Sequence, residues 1–403
     1  LTGFQVLRSN LEDLLLGHAA ASGVDVRHDL RVRDVRFEEE PEAARVEVES
    51  PDGRREELRA RRVLDASGRA GVVARRGFRR RDGPVTLALA AVWRQDRGFA
   101  VADDSHTLVE AYADGWAWSV PVAPGVRHVT VMIDPPGPKG ARRDLSSLYS
   151  TEFEKAEHLS AILAGGVSMG SSWAADASTY GASTYEGPRL LLVGDAGSFI
   201  DPLSSFGVKK ALASAWLAAV ATHTALRYPE RDEVARAFFS RREARVHGRY
   251  ARETARYAAQ AAARYPASAF WSARASPPAA ALGDEDEGPV EKAAVQRAFE
   301  RLKSQARLDL DLGPGIRVRP APLVVEHEIV LADALHPERG AAVHFVSGLD
   351  ATRLARLACR ASEVGELYEA YNRQAPAVAL GDFLHGLATL LASGLLHERT
   401  QTP

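Results

Sequence analysis

A single cysteine, Cys359, occurs in 403 residues, so no intrachain disulfide framework or Cys-rich metal site can be built, and a reducing compartment is expected. Charge of one sign is equally lacking. The 51 basic and 53 acidic residues leave no global field for nucleic acid, an anionic membrane face or a polyanionic substrate. No apolar run reaches bilayer length: the best candidate, ALASAWLAAVATHTAL after Lys209 and Lys210, is short and broken by Ser, Thr and His, and reads as a buried helix. The opening LTGFQVLRSNLEDLL shows no basic segment leading into an apolar one, so the expected location is the cytoplasm. The C-x-x-C, Walker A, H-x-x-x-H and H-E-x-x-H patterns are absent, which disfavours dithiol and NTPase chemistry. His18, His247 and His385 stand apart, and no metal is expected.

What is present is an ordinary globular composition, 46% hydrophobic and 26% charged, long enough for two or three cores. Phe4, Leu7, Leu11, Leu14, Leu15 and Ala19 predict an amphipathic helix that Gly23 stops. Strand patterns follow at VDVRH (24–28) and LRVRDVRFE (30–38). A hairpin then runs through VEVES, PDGR and ELRARRVLDASG, its last apolar strand stopping at Asp65. Over 85–134, VTLALAAVW, TLVEAY, WAWSVPV and HVTVMID are separated by ADG and APGVR and predict an antiparallel meander. A helix near 145–164 precedes LLLVGD, a continuous apolar run suited to a fully buried strand. A buried helix from Val208 to Leu226 and an Arg-rich helix over 231–263 complete this body. The Pro-, Ala-, Gly- and acid-rich stretch 272–292 reads as a linker. Beyond it, a strand candidate at VVEHEIV and helical patterns at 350–360, 362–373 and 380–395 suggest a separate helical or winged-helix-like module, without a basic stripe for DNA.

The residues that carry chemistry concentrate in LLLVGDAGSFIDPLSSFGVKKALASAW, 190–216. A buried strand ending in Gly-Asp, followed by a loop and a helix, sits at the carboxyl edge of a sheet, where open α/β folds bind ligands. Asp195 can accept two hydrogen bonds from a vicinal diol, as on a ribose or ribityl chain, and Gly194 admits the ligand close to the backbone. The loop IDPLSSFG then delivers free N–H groups and the positive end of the Val208 helix to an anion or an anionic ring. A plain tight turn is the alternative reading. Trp116 and Trp118 in WAWSVP lie two apart on a strand and share one face, where they either wall a tunnel or fill a core.

This string closely resembles the third flavin-binding motif of the FAD-dependent aromatic hydroxylase and flavin-dependent halogenase superfamily. The resemblance implies FAD as cofactor, with Gly194 and Asp195 at its ribityl and phosphate end and Pro202, Gly207 and Val208 at the ring. RSNLEDLLLGHAAASGVDV resembles the family's Arg-initiated helix, with Arg8 near the flavin. RVRDVRF places Val32 where members cover the adenine, and RVLDASGRAG resembles the second fingerprint, at Asp65. WAWSVP resembles the halogenase motif WxWxIP, which implies Trp116 and Trp118 as a tunnel wall between flavin and substrate. The halide would sit at the turn Ser205, Phe206 and Gly207. Phe206 stands where tryptophan halogenases carry Thr, and Ser204 where they carry Glu, so a phenolic or pyrrolic small molecule is expected rather than tryptophan.

The resemblance further implies a flavin C4a-hydroperoxide that oxidises halide to hypohalous acid, a separate flavin reductase as partner, and a small aromatic substrate, in some members tethered to a carrier protein. A related monooxygenase, hydroxylase or reductase without halide chemistry stays open, as does a non-catalytic remnant that retains no flavin. The expected fold class is α/β (α+β): an incomplete doubly wound FAD-binding domain (1–84 and 181–270), an antiparallel substrate-binding sheet (85–180), a linker (271–292) and a C-terminal helical domain (293–403). The family's G-x-G-x-x-G is missing, since GFRRRDG, GGVSMG and GPG lack its spacing or its preceding strand. None of the six lysines, 139, 155, 209, 210, 292 and 303, matches the context of the halogenase lysine. The expectation is therefore a fragment of a longer product. At ~25 cal/mol per Å² its uncovered strand edge would weaken it when isolated.

Overall fold

Alternating valines and charged residues build the first strands, and the continuous apolar runs build the buried ones. The computed structural model describes residues 6–38, 43–81, 83–137, 144–277, 290–304, 307–373 and 376–399. The chain divides into two compact units, Leu1–Ala218 with Phe239–Ala281 and Ala219–Phe238 with Leu282–Pro403.

The first unit opens with α1 (Arg8–Ala21), terminated by Gly23 at φ +88°. An antiparallel sheet of β1 (Arg31–Glu38), β2 (Ala43–Glu49) and β3 (Arg55–Ala60) follows, with Val35, Ala44 and Val48 inward. Its outer face carries Arg33–Glu49 and Arg55–Glu47 pairs. After β4 (Val63–Asp65) and β5 (Arg79–Arg81) come β6 (Leu87–Arg94), β7 (Leu108–Tyr112), β8 (Gly115–Ala123) and β9 (Val126–Ile133). Two helices, α2 (Leu145–Phe153) and α3 (Glu157–Ile162), lead to β10 (Val167–Asp176), β11 (Tyr180–Ala182), β12 (Glu186–Gly187) and β13 (Leu190–Leu192). The long α4 (Gly207–Arg227) and α5 (Asp232–Arg264), whose stretch Ala219–Phe238 belongs to the second unit, and the short α6 (Ala269–Arg274) follow.

The strands of the expected meander form an antiparallel sheet, but in the order β10-β6-β9-β8-β7: β7, β8 and β9 pair in sequence, whereas β6 pairs with β9 rather than β7, and β10 adds a fifth strand beside β6. The period of two sends Leu89, Ala91, Ala117, Val129 and Val131 to one face, against Leu148, Tyr149, Phe153 and Leu159 of α2 and α3. The opposite face carries Ala88, Trp116 and Met132 against Ala258 of α5 and Phe270 and Trp271 of α6. Backbone carbonyls of the β7–β8 hairpin fix these helices: Trp271 Nε1 donates to Tyr112 O at 2.7 Å, and the Tyr265 hydroxyl donates to Ala111 O at 2.9 Å. Among the described residues no helix is long and apolar enough to cross a membrane.

Several expectations change. Residues 24–28 form no strand: Val24 is exposed, and Arg27 is tied to Asp25 and Glu56. β10 was illegible because nearly every residue of VSMGSSWAAD is exposed, leaving no apolar alternation to read. The helix expected over 145–164 is two, broken at Ala156. The apolar stripe of α1 forms but stays unburied, with Leu14 68% exposed; Phe4 lies outside the described residues. The linker expected from 271 overlaps α6, and its residues 278–289 lie outside the described residues.

The second unit continues with α7 (Lys292–Ser304), β14 (Leu310–Leu312), β15 (Arg317–Val325), β16 (Glu328–His336), β17 (Phe345–Val346), β18 (Leu349–Asp350), α8 (Ala351–Ala358), α9 (Val364–Asn372), α10 (Leu380–Ala392) and β19 (Leu396–Glu398). Leu302, Leu354, Leu367, Phe383 and Leu387 fill its core. VVEHEIV is not one strand but the tip of the β15–β16 hairpin, whose two-residue turn holds Glu326 at φ +54°.

Candidate functional site

β4 and β13 run parallel with Leu190, Leu191 and Leu192 opposite Val63, Leu64 and Asp65. Their carboxyl ends therefore coincide, and the loops after Asp65 and after Leu192 emerge side by side. Arg79 joins them. Its guanidinium donates to the carbonyls of Gly68 (2.7 Å) and Arg69 (2.8 Å) in one loop, and of Asp195 (2.9 Å) and Ala196 (2.8 Å) in the other. The Tyr180 hydroxyl adds a 2.6 Å bond to Asp195 O, and Arg79 stacks on that ring.

Asp65 is buried and folds its own loop. One carboxylate oxygen accepts from the amide and hydroxyl of Ser67, the other from the amides of Val73 (2.8 Å) and Ala74 (3.0 Å). Burial alone would raise its pKa, but these donors outweigh burial and hold it below the usual carboxylate range. Both oxygens are thus spent within the chain. Val32 packs on the neighbouring cluster of Val35, Val73, Leu190 and Leu192. Arg8 lies exposed at the start of α1, paired with Glu12, and no described contact brings it to the other candidates.

The Gly-Asp turn rests on α4. Gly194 has φ +59°, a conformation that favours glycine, and a Cβ there would stand in tight contact, 3.3 Å, with that of Ala211. Its amide donates to Ser214 Oγ at 2.9 Å. From the same helix the ammonium of Lys210 donates to Gly194 O at 3.1 Å and to Ser198 O, and lies 3.5 Å from Asp195 Oδ1. Apart from that ion pair, Asp195 Oδ1 has no partner among the described residues. Glu243 of α5 is buried nearby; burial raises its pKa, partly offset by Lys210 and a bond from Ser214. Burial likewise pushes Lys210 down, opposed by Asp195 and Glu243. Sequence reading left Lys210 unassigned, yet the signal was present: Lys210, Ser214, Leu217, Ala218, Ala221 and Ala225 form one helical stripe, and all are buried.

Downstream, the Asp201 carboxylate accepts from Leu203 N at 2.9 Å, which starts a short turn at Pro202. Ser204 Oγ donates to Asp201 O at 2.9 Å and accepts from Phe206 N at 3.4 Å, and Ser205 takes the left-handed conformation at φ +54°. Phe206 packs on Tyr250, with ring centroids 4.9 Å apart. Ser205, Gly207 and Val208 are exposed, and nothing lies within 4 Å of a Cβ built on Gly207. The mouth of the turn is therefore open, and it borders the first turn of α4, whose amides lack intrahelical acceptors.

Trp116 is buried and Trp118 half-buried, meeting edge to face at 5.2 Å. Both belong to the cluster on which Leu203 packs, so the tryptophan face and the Asp201–Val208 turn adjoin. Of the remaining lysines, Lys155 pairs with Asp114 and Glu152, Lys209 lies over the Phe206 ring, Lys292 and Lys303 are on α7, and Lys139 lies outside the described residues. A flavin fits this geometry: Asp195 keeps a partly exposed carboxylate whose Oδ1 has an ion pair with Lys210 but no hydrogen bond, Gly194 brings backbone close without a side chain, and the Gly207 mouth is unobstructed.

Comparison with known proteins places the whole chain. The chain is 29% identical over 270 residues to the flavin-dependent halogenase armH3 of Armillaria mellea, covering 61% of this chain and 54% of that protein. It is 29% identical over 264 residues to the sulochrin halogenase gedL of Aspergillus terreus, covering 57% and 47%. The chain spans about half the length of the curated relatives it matches. In fold it resembles the flavin-dependent halogenase CmlS, with a TM-score of 0.78 at 21% identity over 98% of this chain and 78% of that one. It also resembles the peptidyl tryptophan dihydroxylase QhpG, with a TM-score of 0.66 at 24% identity over 96% and 80%. The tryptophan halogenase family model matches residues 2–285, more than half of the sequence, and the chain belongs to that family.

Proposed function

We propose that this chain acts as an FAD-dependent halogenase on an electron-rich aromatic small molecule, phenolic or pyrrolic, served by a separate flavin reductase. One observation carries the reading: the open turn at Ser205–Val208 adjoins, through Leu203, a face bearing two tryptophans. Asp195 would hold the ribityl hydroxyls, Gly194 would let them reach the backbone, and Pro202, Gly207 and Val208 would border the ring. When bound, the reduced flavin supplies the oxygen activation that oxidises halide. The backbone of Ser205, Phe206 and Gly207 offers N–H dipoles to the halide at the positive end of α4. Trp116 and Trp118 exclude water and keep the organic substrate away from the flavin, so that only a small oxidant passes.

The test is halide dependence. The chain is supplied with reduced FAD, oxygen and a phenolic or pyrrolic substrate, with chloride, with bromide or with neither, and products are read by mass spectrometry. A halogenated product only in the halide arms is expected. A hydroxylated product that ignores halide would replace this reading with a monooxygenase, and failure to retain flavin would replace it with a binding role.

A further inference from the structure

A second hollow lies beside Asp201, walled by residues just before the large sheet and by the helices α5 and α6. It is a cavity of about 120 Å³ whose wall includes Thr86, Ile200, Asp201, Thr254, Ala255 and Arg274. An enclosed apolar cavity of about 150 Å³ accommodates benzene; this hollow is slightly smaller but open on one side, so its size is that of a single aromatic ring. Ile200 and Ala255 are buried and supply apolar surface.

The polar part of the wall is specific. Thr254 Oγ1 is buried and has no hydrogen-bond partner. Such an orphan costs about 1–3 kcal/mol, which a ligand hydroxyl or N–H would relieve. Asp201 spends one carboxylate oxygen on Leu203 N, and burial raises its pKa despite that bond and the nearby Arg274. Arg274 is held in place: it donates to Phe270 O, Thr86 Oγ1 and Asp134 Oδ1 and lies 3.6 Å over the Phe270 ring. Asp134 balances the Arg274 charge, burial disfavours the charged form of Asp201, and Thr179 and His247 add to the polar wall, so no cation of the wall is left unbalanced to hold an anionic ligand. Phe270 belongs in turn to the cluster of Trp116 and Leu203, which places the hollow next to the tryptophan face.

We propose that this hollow binds the ring to be halogenated, a single neutral aromatic ring bearing a hydroxyl or a pyrrole N–H, with its polar group between Asp201 and Thr254. The word halogenated rests on the function proposed above, whereas the binding site does not. The test is therefore run on the full chain without flavin or halide, so that its failure leaves the halogenase reading standing, and a lack of halide dependence leaves the site standing.

4-Fluorophenol is titrated against the chain by ¹⁹F NMR, with fluorobenzene as the isosteric probe lacking the hydroxyl. Saturable binding of 4-fluorophenol is expected, with fluorobenzene about tenfold weaker, the equivalent of 1.4 kcal/mol. Thr254→Val, which keeps the shape and deletes the hydroxyl, should weaken 4-fluorophenol about fivefold and leave fluorobenzene unchanged. Ala273→Phe, at an exposed lining position, should block both probes without shifting the thermal melt. The proposal is overturned if the folded chain binds neither probe saturably, if it binds both equally, or if Thr254→Val binds 4-fluorophenol as the parent does. The valine variant decides the matter even if the phenylalanine variant fails to fold.

Discussion

The Nζ of Lys210, at the end of the first turn of α4, lies 3.1 Å from the carbonyl oxygen of Gly194 and 3.5 Å from Oδ1 of Asp195, with its side chain 1% exposed. A buried cation bound to two carbonyls and a carboxylate holds the Gly-Asp turn from beneath. Deleting one member of a buried pair leaves the others uncompensated and typically costs about 3–5 kcal/mol. Lys210→Met should lower the thermal midpoint accordingly and weaken FAD at least about tenfold, as Asp195 loses its orientation. Thermal melts and fluorescence titration with FAD check this. A variant that melts and binds as the parent does would reduce Lys210 to a bystander.

Two glycines of the same motif should respond oppositely to alanine. Gly194→Ala forces φ +59° on an L-residue and pushes a methyl onto Ala211; a cost of roughly 1–2 kcal/mol follows from the conformation alone. Gly207→Ala meets open space and should alter stability by no more than about 0.5 kcal/mol. Chemical denaturation separates the two. If Gly207 borders the flavin ring and the halide, its alanine variant should nevertheless show weaker flavin binding or a higher halide requirement.

Asp65 sets an acid limit on the first unit. Its folded pKa lies below the unfolded value of about 3.9, so the unfolded chain binds more protons there and stability falls as pH drops. The contribution is complete above the unfolded value and disappears as pH falls through the folded one. Asp65→Asn should cost about 1.5–3 kcal/mol at neutral pH, the worth of bonds to a charged acceptor. The gap between variant and parent should narrow as melts are taken from pH 7 downward through the carboxylate range. A gap of constant size would mean that the carboxylate charge is not what the amides of Val73 and Ala74 need.

The two tryptophans divide between packing and access. Trp116 is 2% exposed and fills the cluster with Met132, Phe270 and Trp271, so Trp116→Ala should cost about 3–5 kcal/mol. Trp118→Phe keeps an aromatic ring at a half-buried site and should change stability by less than about 1.5 kcal/mol. Under the proposed function it should also lower the yield of halogenated product per flavin oxidised. An unchanged yield would confine Trp118 to packing.

Sequence made the Gly-Asp strand end, the Asp-Pro turn and the meander legible because each rests on local rules: a buried apolar run, residues of fixed turn geometry, and period-two alternation. What it concealed depends on distant partners. β10 has almost no buried side chain and exists as a strand because β6 offers its edge. Asp65 reads as a ligand-binding acid by its place in a motif, yet its bonding partners lie two to nine residues downstream in a loop whose path the motif does not specify. Lys210 and Lys209 are equivalent in sequence, and the helical stripe alone separates the buried one from its exposed neighbour. The cavity beside Asp201 had no signature, since the residues that α5 and α6 bring to it, His247, Thr254, Arg274 and three alanines, form no motif in the sequence.

Arg79 bridges two loops more than a hundred residues apart in sequence through four neutral carbonyl oxygens. None of these contacts cancels its charge, and burial withholds it from bulk water. The carboxyl edge of the parallel pair consequently holds a guanidinium fixed in place, with the Asp65 carboxylate as its opposing charge, and a diphosphate arriving there would meet a preset cation. Capture of such a ligand would therefore be faster in dilute buffer than in concentrated salt.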